Sequence, residues 1–476
     1  MASKKEVKSR IRSLNGMGVR PSGEYILYWS QMNRRVDSNH ALAHAVELAN
    51  ALGLPVLVYE GLTCTYPYAN DRLHTFILEG VEETARRLRD SGIGYVFYLR
   101  RRRSDPDDVF YRLAAEAAAV VTDDYPTFVN RRHNQSVPAK LDVRMDAVDS
   151  SCVVPMSCLE KREWAAYTIR PRILRLLPEY MHPVPPLAVR RRYRAAPPPF
   201  HTAVRAAGVP QLVASCEIDH SVPPSTCFRG SRRDAEQQLR RFLEERLRRY
   251  ARERNEPAAH ATSGLSPWLH FGRLSSLEVA LAVREYAAAH KLIAEEFLEE
   301  LIVRRELAFN FTRFTPDYDS LDALPEWALR TMAAHRRDRR EAVYTLEQFE
   351  RAQAHDDLWN AAQKELLLRG TIHGYYRMYW GKKIIEWSPD YESALAAMIH
   401  LHDRYALDGR DPNTYTNILW CFGLHDRPWF ERPVFGTIRY MSRAGMDRKT
   451  DVRTYIGEIE ALERARVEPM AEASGQ

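Results

Sequence analysis

Several familiar chemistries are missing from this sequence. Its six cysteines, Cys64, Cys152, Cys158, Cys216, Cys227 and Cys421, form no C-x-x-C pair, and no cysteine–histidine cluster has zinc spacing. A disulfide framework and a metal site are therefore not expected, and scattered reduced thiols suit an intracellular protein. No apolar run approaches a membrane span, and residues 1–12 are polar and charged, unlike a secretory leader. The expected location is the cytoplasm. No G-x-G-x-x-G run is present, which removes support for a dinucleotide fingerprint. Glycine is scarce, with 21 residues against 27 prolines, so stiff connections outnumber flexible ones. The net charge of +6 is modest; it permits an electropositive face for nucleic acid without requiring one.

A chain of 476 residues exceeds one ordinary core, which makes two domains the natural expectation. In the first third, short apolar runs alternate with amphipathic stretches. Strands are expected at Tyr25–Trp29, Pro55–Tyr59, Tyr95–Leu99, Val120–Thr122 and Cys152–Val154. Helices are expected at Asn39–Leu52, about Asp71–Arg89 and Asp107–Ala119. That alternation predicts an α/β domain over 1–180, a doubly wound parallel sheet of Rossmann-like type. The charge run Arg100–Arg103 reads as a solvated loop at a strand end.

Nine prolines between Met181 and Pro224 predict a connection over 181–225 in which regular structure is hard to sustain. Its arginines, Arg190–Arg192 and Arg194, read as surface. From 226 to 465 the signals become helical, and an all-α domain is expected, followed by a short tail, 466–476. Ser275 with Glu278, and Thr345 with Gln348, have capping-box spacing. Ser388–Pro389 predicts a helix start just after Trp387.

Three tryptophans, Trp359, Trp380 and Trp387, lie in this helical part. Trp380 and Trp387 are two turns apart, and a rise of about 1.5 Å per residue predicts indoles on one face roughly 10 Å apart. Trp359 must come from a preceding helix. Tryptophan is among the side chains easiest to oxidise by one electron, so such a line could carry electrons inward. By spacing alone, large aromatics at helical intervals are more often core. The surrounding residues reverse that preference.

Those residues are His373–Trp387, Ser263–Gly272, Phe297–Leu307, Leu407–Asn413, Asp426–Trp429, Gly436–Met441 and Arg448–Val452, with Tyr28–Trp29 and Asn39–Leu42 near the start. In order and nearly end to end, they resemble the class II cyclobutane pyrimidine dimer photolyases of the photolyase/cryptochrome family. The resemblance implies a C-terminal domain holding FAD, active when reduced, and a flipped-out pyrimidine dimer in UV-damaged DNA as substrate. It further implies light-driven electron transfer that splits the dimer, by a lyase acting as a monomer with no membrane association. A deazaflavin or folate antenna on the N-terminal domain is plausible by analogy alone.

The resemblance also assigns residues. Thr262, Ser263, Gly264, Leu265 and Ser266, just before a helix, would hold the FAD diphosphate, with Tyr250 adding a contact. Arg377 and Asp408 would pair against the flavin ring. Glu300 would hydrogen-bond the dimer, and its apolar run favours the protonated, donating carboxyl. Arg304 and Arg305 would support that pocket or reach phosphate. Met378 and Trp420 would wall the flipped dimer, while Arg427, Trp429 and Arg439 would fill the bubble left in the duplex. Trp387, Trp380 and Trp359 would re-reduce the flavin, with Trp380 expected nearest to it and Tyr379 and Tyr344 as side branches.

Three positions depart from the family pattern. His402 stands where asparagine usually faces the flavin, Thr414 where glycine is usual, and Cys421–His425 is one residue short. An imidazole at 402 can carry charge, which predicts altered redox behaviour. The competing expectations are a cryptochrome-like FAD photoreceptor without repair activity and a DNA-binding protein with a vestigial site. The short stretch after Tyr455 disfavours the first, and the retained Glu300, Arg377, Trp380 and Asp408 disfavour the second.

Overall fold

The computed structural model describes residues 8–473, with side chains through residue 466. Six strands form one sheet in the order β1-β6-β5-β2-β3-β4: β1 (Ile11–Ser13), β2 (Tyr25–Trp29), β3 (Val56–Thr63), β4 (Gly94–Arg100), β5 (Ala117–Asp123) and β6 (Met145–Val148). Strands β2 to β6 run parallel, and β1 caps β6 antiparallel. The alternation of β2 explains its central place. Tyr25, Leu27 and Trp29 enter one core cluster and Ile26 and Tyr28 the other, so both faces are covered. The parallel α/β architecture expected from the alternating pattern is the one observed.

Three expected elements of this half differ; the helix expected at Asp107–Ala119 ends at Glu116, and Ala117–Ala119 open β5 instead. Cys152–Val154 is not a strand, and the fifth parallel strand is Met145–Val148, beside β5. The reason is competition for the backbone. Glu306 Oε1 accepts from Val153 N and Val154 N at 2.7 and 3.0 Å, and Arg10 donates to the carbonyls of Cys152 and Val153. With those groups taken, no ladder can form. The helix expected at Asp71–Arg89 is broken at Gly80 into Asp71–Glu79 and Val81–Asp90. A Cβ at Gly80 would stand 2.2 Å from Arg273 Cζ, so glycine there admits the guanidinium.

The arginine run 100–103 closes a turn in which Asp105 Oδ2 accepts from Arg101 N and Arg102 N. The Pro-rich segment lies along the sheet domain: Arg190 N reaches Asn50 Oδ1, Tyr193 N reaches Gly92 O and Thr202 N reaches Phe97 O. It still carries a six-residue helix, Val209–Ala214, because Pro210 falls in the first turn, where no N–H is needed.

Helices make up the remainder. Both capping boxes form, at Ser275 and Thr345. Ser388, however, ends the helix Gly374–Trp387, and the next one, Tyr391–Tyr405, is capped by Asp390, whose carboxylate accepts from Ser393 N. The short tail expected from 466 is helical as far as Ala473, within Val452–Ala473; residues 474–476 lie outside the described residues. Among the described residues no helix is long and apolar enough to cross a membrane.

Two arginines tie the halves together. Arg72 donates to the carbonyls of Leu366 and Tyr405 at the ends of two helices of the C-terminal part. Arg273 returns the contact through the carbonyls of Arg34 and Ile77. Each thereby adds a charged donor to backbone carbonyls of the other half.

At the carboxyl ends of β2 and β5 the strand order reverses, which is where open α/β sheets form a crevice. A pocket lies there, lined by Met32, Arg34, Tyr66, His74, Tyr125 and His270 among others. Both ring nitrogens of His74 and Nη1 of Arg34 lack hydrogen-bond partners.

Candidate functional site

Trp359, Trp380 and Trp387 are all buried, at 0%, 1% and 3% exposure. Trp359 comes from the helix Asp357–Arg369, the other two from Gly374–Trp387. Their order was not legible in the spacing. The Trp359 ring lies 6.4 Å from Trp380, with planes 2° apart, and 6.0 Å from Trp387 at 71°. It is therefore the middle member. Trp359 Nε1 donates to the Trp380 carbonyl at 3.1 Å, and Trp380 Nε1 to Gln363 Oε1 at 2.9 Å, which fixes both rings. Beyond Trp387 stand Tyr344 at 5.7 Å and exposed His355 at 4.8 Å, hydrogen-bonded to each other at 2.6 Å. The line thus runs from the interior to the surface. Tyr379 is buried and donates to Asp356.

At the inner end, Trp380 meets His402 edge-on at 5.0 Å. His402 Nδ1 donates to the Met398 carbonyl at 3.1 Å, so Nε2 is the lone-pair nitrogen, and it has no partner. Burial, with Arg377 nearby, pushes the imidazole down to about 3. The ring is therefore neutral near pH 7, against the expectation that it could be charged. Arg377 Nη2 holds both oxygens of Asp408, at 3.1 and 3.0 Å. Burial alone would raise the Asp408 carboxyl, but Arg377 and a hydrogen bond from Ser266 outweigh it and hold the group below 3.8. Arg377 Nε is unpartnered. Thr414 Oγ1 donates to the Asp408 carbonyl at 2.7 Å, so the hydroxyl that replaces glycine pins this loop.

An orphaned donor, Arg377 Nε, and an orphaned acceptor, His402 Nε2, beside a fixed ion pair suit a ligand whose edge both donates and accepts, as an isoalloxazine edge does. The loop Thr262–Ser266 meets them through Ser266, which hydrogen-bonds Asp408. Gly264 adopts φ +66°, the left-handed region that glycine supplies without strain. Gln238 Nε2 and Arg246 Nη1 hold the carbonyls of Ser263 and Thr262, while Ser263 Oγ accepts from Leu265 N and Ser266 is engaged with Asp408. The helix that follows, Ser266–His270, has only five residues, so hydroxyls and backbone matter here more than a macrodipole.

Glu300 does not sit in the apolar pocket its sequence neighbours suggest. The stretch Glu299–Arg304 is π-helical, and the Glu300 side chain is 41% exposed and paired with Arg254 at 2.7 Å. Arg254 lies one turn beyond Tyr250, a spacing that could have signalled the partnership. Glu299 holds Arg170 at 2.6 Å and Arg304 at 3.4 Å. Arg305 is buried, donates to the Ser151 carbonyl and stacks on Phe309, which makes it a framework residue.

A column of cations and indoles flanks this region. Lys382 Nζ lies 4.9 Å from the Trp420 ring; Arg439 Cζ is 5.3 Å from Trp420 and 4.1 Å from Trp429; Arg427 Cζ is 4.8 Å from Trp429. Asp426 locks Arg439 at 2.9 Å. Met378 and Trp420 are half-buried beside the helical core. Sequence reasoning missed Lys382, which is fully buried, donates to the Cys421 carbonyl, and is pushed down by burial to about 8. It also missed Phe430, 89% exposed beside Trp429.

Comparison with known proteins places this geometry. The DNA photolyase family profile matches residues 26–189. A deoxyribodipyrimidine photo-lyase of Methanothermobacter thermautotrophicus is 40% identical over 95% of this chain and 98% of its own. One from Arabidopsis thaliana is 36% identical over 97% and 95%. Among solved structures, an archaeal photolyase from Sulfolobus tokodaii with two FAD molecules superposes with a TM-score of 0.65 over 91% of this chain and 89% of its own, at 17% identity.

Proposed function

The chain belongs to the photolyase/cryptochrome family, and on that premise we propose that it is a light-driven lyase that splits cyclobutane pyrimidine dimers in DNA. Within the family we assign it to class II. The observation that carries the reading is the meeting of three features: the indole line ends on His402, His402 adjoins the Arg377–Asp408 pair, and the cation–indole column reaches the helix that carries Arg377 and Trp380 through Lys382. When bound, reduced FAD supplies under illumination the electron that opens the cyclobutane ring and that returns afterwards.

Arg377 places a fixed cation where negative charge is held, and Asp408 keeps it oriented. Thr262, Ser263, Gly264, Leu265 and Ser266 cradle the diphosphate, with Tyr250 behind them. Glu300 meets the flipped dimer at the rim, held by Arg254. Met378 and Trp420 grip its faces, while Arg427, Trp429 and Arg439 occupy the gap in the duplex. Trp387, Trp359 and Trp380, in that order, carry electrons from the surface.

The crevice at the carboxyl ends of β2 and β5 is the place for an antenna pigment, a deazaflavin or folate. Aromatic walls and the orphaned atoms of His74 and Arg34 support a planar polar guest there. We read the enzyme as a cytoplasmic monomer, in keeping with its free cysteines.

The deciding experiment incubates FAD-loaded protein with a dimer-containing oligonucleotide, in the dark and under blue light, and follows restored thymine. Restoration in light alone is expected. Binding without restoration would leave a photoreceptor or a DNA-binding protein with a vestigial site.

A further inference from the structure

Two large aromatic side chains stand on the surface outside the site described above. Trp164 is 66% exposed and Tyr167 is 71% exposed. Tyr167 is the second residue of the helix Ala166–Tyr180, and Trp164 stands two residues before that helix, ahead of the extended N-cap Ala165. Neighbouring exposed aromatics are a costly surface for a soluble protein and mark a binding face more often than chance.

Their location is informative. The Trp164 carbonyl accepts from His425 Nδ1 at 2.6 Å, which fixes Trp164 against the loop leading to Arg427, Trp429 and exposed Phe430. One turn along the same helix, Arg170 binds Glu299, the neighbour of Glu300. The pair therefore bridges the two parts of the site that meet DNA. The local charge is positive: Arg162, Arg170, Arg172 and Arg304 outnumber Glu163 and Glu299. Arg162 Cζ itself lies 6.0 Å from the Trp164 ring. Aromatic faces among guanidinium groups suit unstacked bases on a phosphate backbone, and suit an apolar protein surface poorly.

We propose that Trp164 and Tyr167 form a stacking platform for unstacked bases of the damaged DNA beside the flipped lesion, which the arginines hold through phosphate. This rests on the DNA-repair reading above and adds a contact surface contributed from outside the helical domain. Sequence spacing gave no sign of it, because the platform exists only where the start of this helix meets the 421–430 loop.

The test uses the FAD-loaded full chain. A double variant, Trp164→Ala with Tyr167→Ala, is compared with Trp164→Phe with Tyr167→Phe by fluorescence anisotropy on a labelled dimer-containing oligonucleotide. Stacking on two aromatic rings predicts that the alanine variant binds at least about tenfold more weakly, and that the phenylalanine variant stays within about threefold of wild type. Flavin absorbance and the thermal midpoint should not move, since both side chains are exposed. Wild-type binding with an unchanged alanine variant overturns the platform and leaves the repair reading intact. Failure of the wild type to bind overturns both. If the alanine variant instead shifts sedimentation from dimer to monomer with DNA binding unchanged, the face is a subunit contact and the proposal falls.

Discussion

The indole of Trp359 lies parallel to that of Trp380, 6.4 Å away, and donates its N–H to the Trp380 backbone. This places one ring at the centre of the line and makes it the member whose loss isolates the other two. Trp359→Phe should abolish flavin photoreduction by an external donor, while protein reduced chemically beforehand still repairs. The stability cost should be about 1–3 kcal/mol, from lost volume and the lost indole hydrogen bond to Trp380. Absorbance under blue light and a urea titration read the two effects separately. Equal loss in both repair assays would remove the relay role.

His402 makes the second prediction. Its imidazole titrates near 3 in the folded chain, against 6.5 as the ordinary value. Below pH 6.5 the unfolded chain takes up a proton that the folded chain refuses, so stability falls as pH falls. The slope is on the order of 1.4 kcal/mol per pH unit between about 6.5 and 3. His402→Asn should therefore flatten the acid limb of a urea-midpoint profile and leave the limb above pH 7 unchanged. Parallel profiles for the two proteins would show that the ring is not held neutral.

Asp408 carries the opposite sign. Its folded value lies below 3.8, so its contribution is complete above the ordinary carboxylate range and is lost as pH falls through the depressed value. Asp408→Asn leaves Arg377, 15% exposed, without its counter-charge. A loss of about 3–5 kcal/mol is expected for breaking a buried pair, with release of FAD at lower urea than in the wild type. Chemical denaturation followed through flavin fluorescence gives both numbers.

Arg439 is packed between two indoles and held by Asp426. Arg439→Ala should weaken binding to dimer-containing duplex by about tenfold and reduce the salt dependence of that binding by roughly one phosphate contact. Flavin content should be unchanged. Titrations at two ionic strengths decide it; an unaltered salt slope would make Arg439 a purely structural spacer.

What could be seen in the chain follows the range of the interaction. Strands β2 to β5 were legible because a buried parallel strand is a local apolar run, and the caps Ser275 and Thr345 because a cap is decided within a few residues. Cys152–Val154 misled because Glu306, far along the sequence, claims its amides. Glu300 misled for a related reason. Apolar sequence neighbours were taken for apolar surroundings, but a π-helical stretch turns the carboxylate outward to Arg254. The place of Trp359 between its partners depends on how two helices cross, which no spacing within one helix records.

The reciprocal stapling by Arg72 and Arg273 has a consequence for how a lesion is met. Each guanidinium donates to backbone carbonyls of the opposite half, so prising the halves apart would strip a partner from several buried carbonyls at once. A scissor-like opening around the crevice is thereby discouraged. The accommodation falls to the nucleic acid, which must bend and extrude its damaged step onto a receptor whose shape is already set.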